Sequence, residues 1–158
     1  MTRSPIDRLA TAVGTSIFIG YFPIFPGTVG SLPGLVIYVL LSRVEIFSGF
    51  GLPWLVLLGV VFAGGAVSAH RCEKIFGNDD KRIVIDEVWG MMIALQGVPV
   101  EARWLLSSFL LFRFFDIIKP YPARRAERLG GGAAIMLDDG IAGFYTAVII
   151  YVLRLFTG

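Results

Sequence analysis

FLLFRFFDIIKPYPA, residues 109–123, is an apolar stretch that ionic side chains interrupt at every third position. These ionic residues are Arg113, Asp116 and Lys119, and Pro120 follows them immediately. A helix advances about 100° per residue, so steps of three keep the three side chains on one face. Because proline disfavours continuation of a helix, the predicted helix ends here. The stretch therefore predicts a helix that belongs in a core or a bilayer and carries one charged stripe.

The whole chain has the composition of a membrane protein. Of its 158 residues, 56% are hydrophobic and 16% are charged, and the mean hydropathy is +0.76. Residues 9–42 and 46–69 contain no charged side chain, and each run exceeds the roughly 20 residues that span the hydrocarbon core. Residues 46–69 are the cleaner predicted crossing. Since no Ser-rich, Pro-rich or charged linker divides the chain, residues 1–158 are predicted to form a single membrane-embedded domain.

Charge and cysteine content argue against several other classes of protein. The net charge of +2 and the lack of interleaved basic and aromatic residues argue against nucleic-acid binding. Cys72 is the single cysteine, so neither a disulfide framework nor a thiolate zinc site is expected. The basic N-terminus precedes an apolar run that is too long for a signal peptide, and we expect this segment to be retained. His70 is interpreted as a membrane-interface residue rather than a metal ligand.

The first apolar run is predicted to be broken. YFPIFPGTVGSLPG, residues 21–34, contains prolines and glycines that disfavour a continuous helix. Non-helical backbone at membrane depth is tolerated only beside protein or a wet cavity, so this loop is expected to line a cavity. Further helices are predicted within residues 83–100, 104–118 and 134–156, with polar loops between them. The predicted fold is all-α, an integral membrane multi-helix bundle with a broken or re-entrant N-terminal segment.

The basic residues predict an orientation in the membrane. They cluster in residues 71–82 and 119–128, whereas Arg43 and Arg103 stand nearly alone in short turns. The positive-inside rule places the two basic loops in the cytoplasm, and alternation then puts the N-terminus inside and both turns outside. In this topology the ionic side chains of the apolar segments all lie near the cytoplasmic boundary.

Five carboxylates and two cations are expected to converge at this depth. They are Asp86, Glu87, Asp116, Asp138, Asp139, Arg113 and Lys119, with Asp79 in the loop nearby. Intramembrane ionisable residues usually face the bundle interior and mark a functional site. Clustered carboxylates repel one another unless they are protonated or neutralised, and a hard divalent cation, most naturally Mg²⁺, neutralises them. Because Arg113 and Lys119 supply donors for phosphate oxygens, the set predicts metal-dependent phosphate chemistry.

Some details of the pattern leave alternatives open. Neighbouring helical residues point about 100° apart, so one member of each adjacent acidic pair is expected to lie outside the immediate metal ligands. PGTVGS, residues 26–31, offers backbone N–H groups and two hydroxyls to an anion, or else a helix break that packing requires. The less favoured alternatives are a structural ion pair between Arg113 and Asp116 and, for Lys119, a side chain that extends to the interface.

Four motifs occur in order along nearly the whole chain. They are PGTVGS at 26–31, Asp79 followed by IVIDEVWG at 83–90, FRFFDIIKPYP at 112–122, and a glycine pair followed by IMLDDGIAG at 135–143. In this order they resemble the phosphatidylglycerophosphatase A family. The resemblance implies a helical, Mg²⁺-dependent enzyme that converts the membrane lipid phosphatidylglycerophosphate to phosphatidylglycerol. With the predicted topology, it implies a multi-pass protein of the bacterial inner (cytoplasmic) membrane whose active site faces the cytoplasm.

The resemblance also implies roles for individual residues. The expected metal ligands are Asp79, Asp86, Glu87 and Asp139. The expected phosphate-binding residues are Thr28, Ser31, Arg113 and Lys119. Catalytic roles are expected for Glu87, Asp116, Lys119 and Asp138. One of the three carboxylates would act as general base, or as the nucleophile of an aspartyl-phosphate route, and direct attack by water is the favoured interpretation.

Two other functions fit parts of the pattern. CDP-alcohol phosphotransferases also use aspartate-rich motifs and Mg²⁺, but Gly143 stands where their motif has arginine and no acidic residue follows Asp139. A divalent-cation transporter or channel would bind its ion through carboxylates, but here the acids gather at one face and the bases would repel cations. A lipid phosphatase is therefore the predicted function.

Overall fold

The computed structural model of the protein describes residues 4–47, 51–77, 80–128 and 130–157. Within these ranges the chain forms seven α-helices and no strand, which confirms the all-α prediction. The helices are α1 Pro5–Gly14, α2 Pro26–Leu41, α3 Leu52–Phe76, α4 Ile85–Ala94, α5 Ala102–Ile118, α6 Ala123–Glu127 and α7 Gly132–Thr157. Short 3-10 turns at Ile19–Tyr21 and Glu45–Phe47 lie in the connections from α1 to α2 and from α2 to α3.

α4 is the central helix of the bundle. It packs mainly against α7 and α2, and it also contacts α3 and α5. Most of its residues are buried, including Val88, Met91 and Met92. Its 10 residues rise only about 15 Å, which is about half the thickness of a hydrocarbon core. The predicted helix within residues 83–100 is therefore a short buried helix and does not cross a bilayer by itself.

The predicted break in the first apolar run lies between α1 and α2. Ser16, Ile17 and Phe18 adopt φ values of 47° to 67°, a left-handed conformation that no continuous α-helix contains. The prediction that PGTVGS forms a loop was wrong, because these residues are the first turns of α2. Pro26 opens that helix, where its missing N–H breaks no helical hydrogen bond. The segment thus presents a helix start, rather than an irregular loop, to its surroundings.

α3 and α7 are long and apolar enough to cross a membrane. Their most apolar windows have mean hydropathies of 2.0 and 1.6, and only 22% and 28% of those windows are buried inside the protein. Apolar helix surface that the chain itself leaves uncovered suits lipid surroundings. α3 continues to Phe76, past the predicted end at residue 69. His70 and Arg71 therefore lie in its last turns rather than in a loop, and His70 is exposed.

Side-chain contacts show which helix ends lie together. The starts of α2, α4 and α7 share one end of the bundle with the ends of α3 and α5. At the other end, the Tyr38 hydroxyl donates to the Val98 carbonyl, and Arg154 donates to the Gly97 carbonyl. These bonds join the last turns of α2 and α7 to the connection between α4 and α5. The ionic residues of the apolar segments therefore meet at one end, as the predicted topology requires.

Candidate active site

Three carboxylates converge where α4 and α7 begin. Asp86 and Glu87 lie in the first turn of α4, and Asp139 lies near the start of α7. One oxygen from each residue lies within 4.8 Å of the other two. We call this set the carboxylate cluster. The buried oxygens Asp86 Oδ1, Glu87 Oε2 and Asp139 Oδ2 have no hydrogen-bond partner among the described residues. Buried, clustered and unpartnered carboxylate oxygens fit a hard divalent cation such as Mg²⁺.

Small residues allow α7 to approach α4 closely enough to form this cluster. A Cβ placed on Gly143 would collide with the carbonyl of Gly90. In turn, a Cβ on Gly90 would lie 2.7 Å from the carbonyl oxygen of Asp139. Glycine at both positions brings the two backbones together, as small residues do in membrane helix pairs. The IMLDDGIAG motif therefore contains both Asp139, a member of the cluster, and Gly143, which allows the close contact between α7 and α4.

Arg113 of α5 lies beside the cluster. Its Nη1 contacts Asp116 Oδ2 at 2.6 Å and donates to the Ser31 hydroxyl at 3.4 Å. Ser31 donates in turn to the Gly27 carbonyl at 2.9 Å, so α5 is tied to the start of α2. The buried Nε of Arg113 has no partner within the described part of the chain. The guanidinium thus retains a donor that these protein groups do not use.

The N-terminus of α2 borders the same space. A Cβ on Gly27 would collide with Glu87 Oε1 and would lie 3.1 Å from Arg113 Nη2. Since α2 begins at Pro26, the N–H groups of Gly27 and Thr28 have no carbonyl one turn earlier in the helix. Helix N-termini carry positive partial charge and bind phosphate. The helix start and Arg113 therefore make a place for an anion next to the carboxylate cluster.

Asp138 and Lys119 form the other ion pair of the site. Lys119 Nζ donates to Asp138 Oδ2 at 2.6 Å, and Asp138 Oδ1 accepts the backbone N–H of Asp139 at 3.0 Å. Lys119 follows the last residue of α5 with a φ of 49°, so the helix ends where Pro120 predicted. The Asp116 carboxylate lies close enough to Asp139 and Asp138 to act on both electrostatically. The charged stripe of α5 therefore faces the site.

Comparison with known proteins identifies the family. A sequence model described as phosphatidylglycerophosphatase A matches residues 12–154. The chain belongs to the phosphatidylglycerophosphatase A family. This confirms the resemblance drawn from the four motifs. The protein is accordingly a membrane enzyme of the phosphatidylglycerophosphatase type, and the alternative of a cation transporter or channel is not supported.

Individual relatives match over nearly their whole length. Phosphatidylglycerophosphatase A of Escherichia coli is 36% identical over 154 residues, which cover 94% of this chain and 83% of the relative. The Haemophilus influenzae protein of the same name is 34% identical over 157 residues, covering 96% and 90%. A Bacteroides thetaiotaomicron protein named putative phosphatidylinositol-3-phosphatase is 35% identical over 149 residues, covering 92% and 94%. No solved structure matches the chain.

The two adjacent acidic pairs of the chain behave differently. At the start of α7 the members diverge as the sequence predicted, with Asp139 in the cluster and Asp138 on Lys119. At the start of α4, Asp86 and Glu87 both reach the cluster, which differs from the expectation from helical spacing but matches the assignment of both residues by the family resemblance. Glutamate has one more methylene group than aspartate. The carboxylate of Glu87 can therefore reach the cluster even though its Cα–Cβ bond points away from it. Helical spacing fixes only the direction of that bond.

Two further residues that the family motifs singled out are Thr28 and Asp79. Thr28 is half-buried in the first turn of α2. Asp79 lies outside the described residues, so its predicted role as a ligand stays a prediction. The next residue, Asp80, accepts hydrogen bonds from Arg82 at 2.7 and 2.6 Å, and these bonds hold the pKa of its carboxyl below the usual range. Arg82 also lies 4.1 Å from the centre of the Phe76 ring, which fixes the connection between α3 and α4.

Gly27 has a part in the site that the sequence did not predict. PGTVGS was noted for its hydroxyls and exposed N–H groups, yet it is at Gly27 that a Cβ would collide with Glu87 Oε1 and lie 3.1 Å from Arg113 Nη2. A signal was present, because a glycine directly after the proline that opens a helix leaves that position of the first turn without a side chain. Only the folded structure shows that Glu87 and Arg113 occupy the space beside Gly27.

Proposed function

We propose that the protein hydrolyses phosphatidylglycerophosphate to phosphatidylglycerol and inorganic phosphate, with Mg²⁺ as its cofactor. The observation that carries the proposal is the convergence of the carboxylate cluster and Arg113 on the N-terminus of α2. A phosphate monoester dianion needs both a counter-charge and donors for its oxygens, and this arrangement offers both. The substrate follows from family membership, since the relatives from Escherichia coli and Haemophilus influenzae carry the name of this activity.

The carboxylate cluster is the proposed metal site. Asp86, Glu87 and Asp139 would hold Mg²⁺, and Asp79 is proposed as a further ligand from the adjoining connection. The bound ion would supply charge neutralisation and polarisation of the phosphoryl group. The protein holds the three oxygens in place through the buried first turn of α4 and its close contact with α7.

The side chains and backbone of the protein bind the phosphoryl group. Arg113 and the N–H groups of Gly27 and Thr28 donate to its oxygens, and Ser31 orients Arg113. Water attacks phosphorus while the bond between phosphorus and the glycerol oxygen breaks. The water proton passes to Asp116, and the leaving oxygen takes up a proton from solvent. Lys119 offsets the negative charge that develops on the leaving oxygen.

Asp116 is the proposed general base because the other two candidate carboxylates, Glu87 and Asp138, are assigned to other roles by their contacts. Glu87 belongs to the carboxylate cluster. Asp138 is bonded at both oxygens, to Lys119 and to the backbone N–H of Asp139. Asp116 contacts Arg113 through Oδ2 and stands beside the cluster. Asp138 therefore positions Lys119, while Asp116 receives the proton.

Removing the metal is expected to abolish turnover. Without a cation, the clustered carboxylates would repel the substrate dianion or become protonated, and the phosphoryl group would not be polarised. The test measures phosphate release from phosphatidylglycerophosphate by detergent-solubilised protein, first in excess EDTA and then after Mg²⁺ is restored. Activity should disappear and return. Full activity in the chelator would contradict the metal proposal.

A second candidate substrate is phosphatidylinositol 3-phosphate, because the Bacteroides thetaiotaomicron relative is named for it. Both lipids present a phosphate monoester on a polar headgroup that a phosphodiester joins to diacylglycerol. The same assay, with each lipid at equal surface concentration in neutral detergent, compares their kcat/KM values. We expect the higher value for phosphatidylglycerophosphate, and a preference for the inositol lipid would replace the proposed substrate while leaving the proposed chemistry intact.

The proposed orientation puts the active site at the cytoplasmic face of the bacterial inner membrane. Lys81→Cys and Arg125→Cys, each in a Cys72→Ala background, replace exposed residues near the site end of the bundle. In intact cells these cysteines should react only with a membrane-permeant maleimide. Arg103→Cys, at the opposite end, is the matched control and should also react with an impermeant reagent. The reverse labelling pattern would invert the topology.

A further inference from the structure

A basic pocket adjoins the site next to Lys119. It has a volume of about 670 Å³ and lies between the turn that follows α5 and the short helix α6. Its charged lining consists of Lys119, Arg124, Arg125 and Arg128. None of the described residues that line it is acidic. Lys119 lines this basic pocket and also bonds to Asp138, so it belongs to both the pocket and the candidate active site.

The three arginines of the basic pocket are available to an anion. All three are exposed, and none forms an ion pair with a described residue. Arg124 donates to the Ile118 carbonyl at 3.3 Å, which holds its side chain over the end of α5. Guanidinium groups bind phosphate through several donors at once, so their clustering favours a phosphate group as the ligand.

An apolar groove begins on the other side of the same turn. It has a volume of about 450 Å³, and its lining includes Trp89, Pro122, Leu137, Ile141 and Phe144. The groove follows α7 for about two turns, or roughly 10 Å, from the level of the site toward the middle of that helix. The Tyr145 hydroxyl donates to the Tyr121 carbonyl at 2.8 Å, which fixes the turn against α7. Tyr121 lines the basic pocket and the next residue, Pro122, lines the apolar groove, so the two features are neighbours across this turn.

The order of these features matches the order of groups along the proposed substrate. Phosphatidylglycerophosphate carries the reacting phosphate monoester, then a glycerol bridge, then a phosphodiester with one negative charge, and then two acyl chains. Along the protein, the carboxylate cluster and Arg113 are followed by Lys119, the basic pocket and the apolar groove. We propose that the basic pocket binds the phosphodiester of the substrate and that the apolar groove takes one of its acyl chains. This inference rests on the proposed function.

Such a site would select lipids that carry two phosphates. Phosphatidic acid has only the reacting monoester, attached directly to diacylglycerol, and can place nothing in the basic pocket while its phosphate is at the cluster. Phosphatidylglycerol, the product, keeps the phosphodiester and both acyl chains and should still bind. Inorganic phosphate should bind only at the cluster.

The test replaces all three arginines, in the variant Arg124→Gln/Arg125→Gln/Arg128→Gln. Arg8→Gln/Arg43→Gln/Arg103→Gln is the matched control, because it removes the same charge from exposed positions outside the pocket. In neutral detergent micelles, the pocket variant should raise KM for phosphatidylglycerophosphate about tenfold or more, since charge-assisted hydrogen bonds are lost. Its kcat should stay within about twofold, because these arginines do not touch the reacting phosphate. Its kcat/KM for phosphatidic acid should equal that of the wild type.

Product binding gives a readout that does not depend on turnover. Trp89 lines the apolar groove, so phosphatidylglycerol with brominated acyl chains should quench its fluorescence, and Trp89→Phe should remove most of the quenching. The pocket variant should need about tenfold more of this lipid for the same quenching, whereas inhibition by inorganic phosphate should not change.

Three results would overturn the inference. They are an unchanged KM for phosphatidylglycerophosphate, an equal loss with phosphatidic acid, and unchanged quenching by brominated phosphatidylglycerol. An equal loss with both substrates would show that the arginines attract anionic surfaces in general. If the wild-type protein released no phosphate from phosphatidylglycerophosphate, the proposed function would fail by itself, and the quenching measurement would still decide whether the pocket binds the phosphodiester.

Discussion

Arg113→Met combined with Asp116→Leu is expected to give a folded protein whose turnover is lower by a factor of about a hundred to a thousand. Replacing both members of a buried ion pair by apolar residues is often neutral or stabilising, so the bundle should persist. Losing a donor that stabilises the transition state costs on the order of 3 to 4 kcal/mol, which corresponds to the expected loss of rate. Thermal unfolding in detergent and the rate of phosphate release are measured on the same preparation.

The matched control for this double variant is Arg103→Met/Glu101→Leu. That pair joins nearby residues at 2.9 Å, as the Arg113–Asp116 pair does at 2.6 Å, but it is exposed at the other end of the bundle. It should change neither stability nor turnover by much, because exposed pairs contribute little. If the Arg113 and Asp116 variant were stable and nearly as active as the wild type, the charged stripe of α5 would be purely architectural.

Gly27→Ala is expected to reduce turnover about a hundredfold or more while the helix bundle remains folded. The added methyl group would collide with Glu87 Oε1 and lie within 3.1 Å of Arg113 Nη2, so both side chains must move away from the phosphate position. Alanine favours a helix more than glycine does, so α2 itself should not weaken. Phosphate release measured across a Mg²⁺ titration should show lower kcat and weaker apparent metal binding.

Gly64→Ala provides the control for this substitution. Gly64 also lies in an α-helix, but a Cβ placed there meets nothing within 4 Å among the described residues. Its activity should equal that of the wild type. If Gly27→Ala retained full turnover with unchanged Mg²⁺ dependence, the start of α2 would not belong to the catalytic arrangement.

Much of the site could be predicted from the sequence because its chemistry is costly in an apolar chain. Asp86, Asp139 and Arg113 stand out against long uncharged runs, and intramembrane charges rarely lack a function. The end of α5 at Lys119 followed equally directly from Pro120. These predictions needed only composition, helical periodicity and the behaviour of proline.

The lengths and contacts of the helices were less predictable. α4 ends at Ala94, although the predicted helical segment runs to residue 100. The end was not predicted because apolar composition alone does not distinguish a short buried helix from a helix that crosses the membrane. Proline and glycine in PGTVGS suggested a loop, yet the same residues are compatible with the first turn of a helix. The basic pocket was not predicted, since its approach to the apolar groove depends on how the turn after α5 packs on α7.

The short length of α4 also affects the order in which the helices assemble during synthesis. A segment of 10 residues with two acidic groups in its first turn cannot remain in a bilayer by itself. Its main partner, α7, is synthesised after α5 and α6, so the binding surface for α4 is incomplete until α7 has been made. The carboxylate cluster therefore becomes complete only after α7 is made, and a chain that terminates before Asp139 lacks one of its three carboxylates.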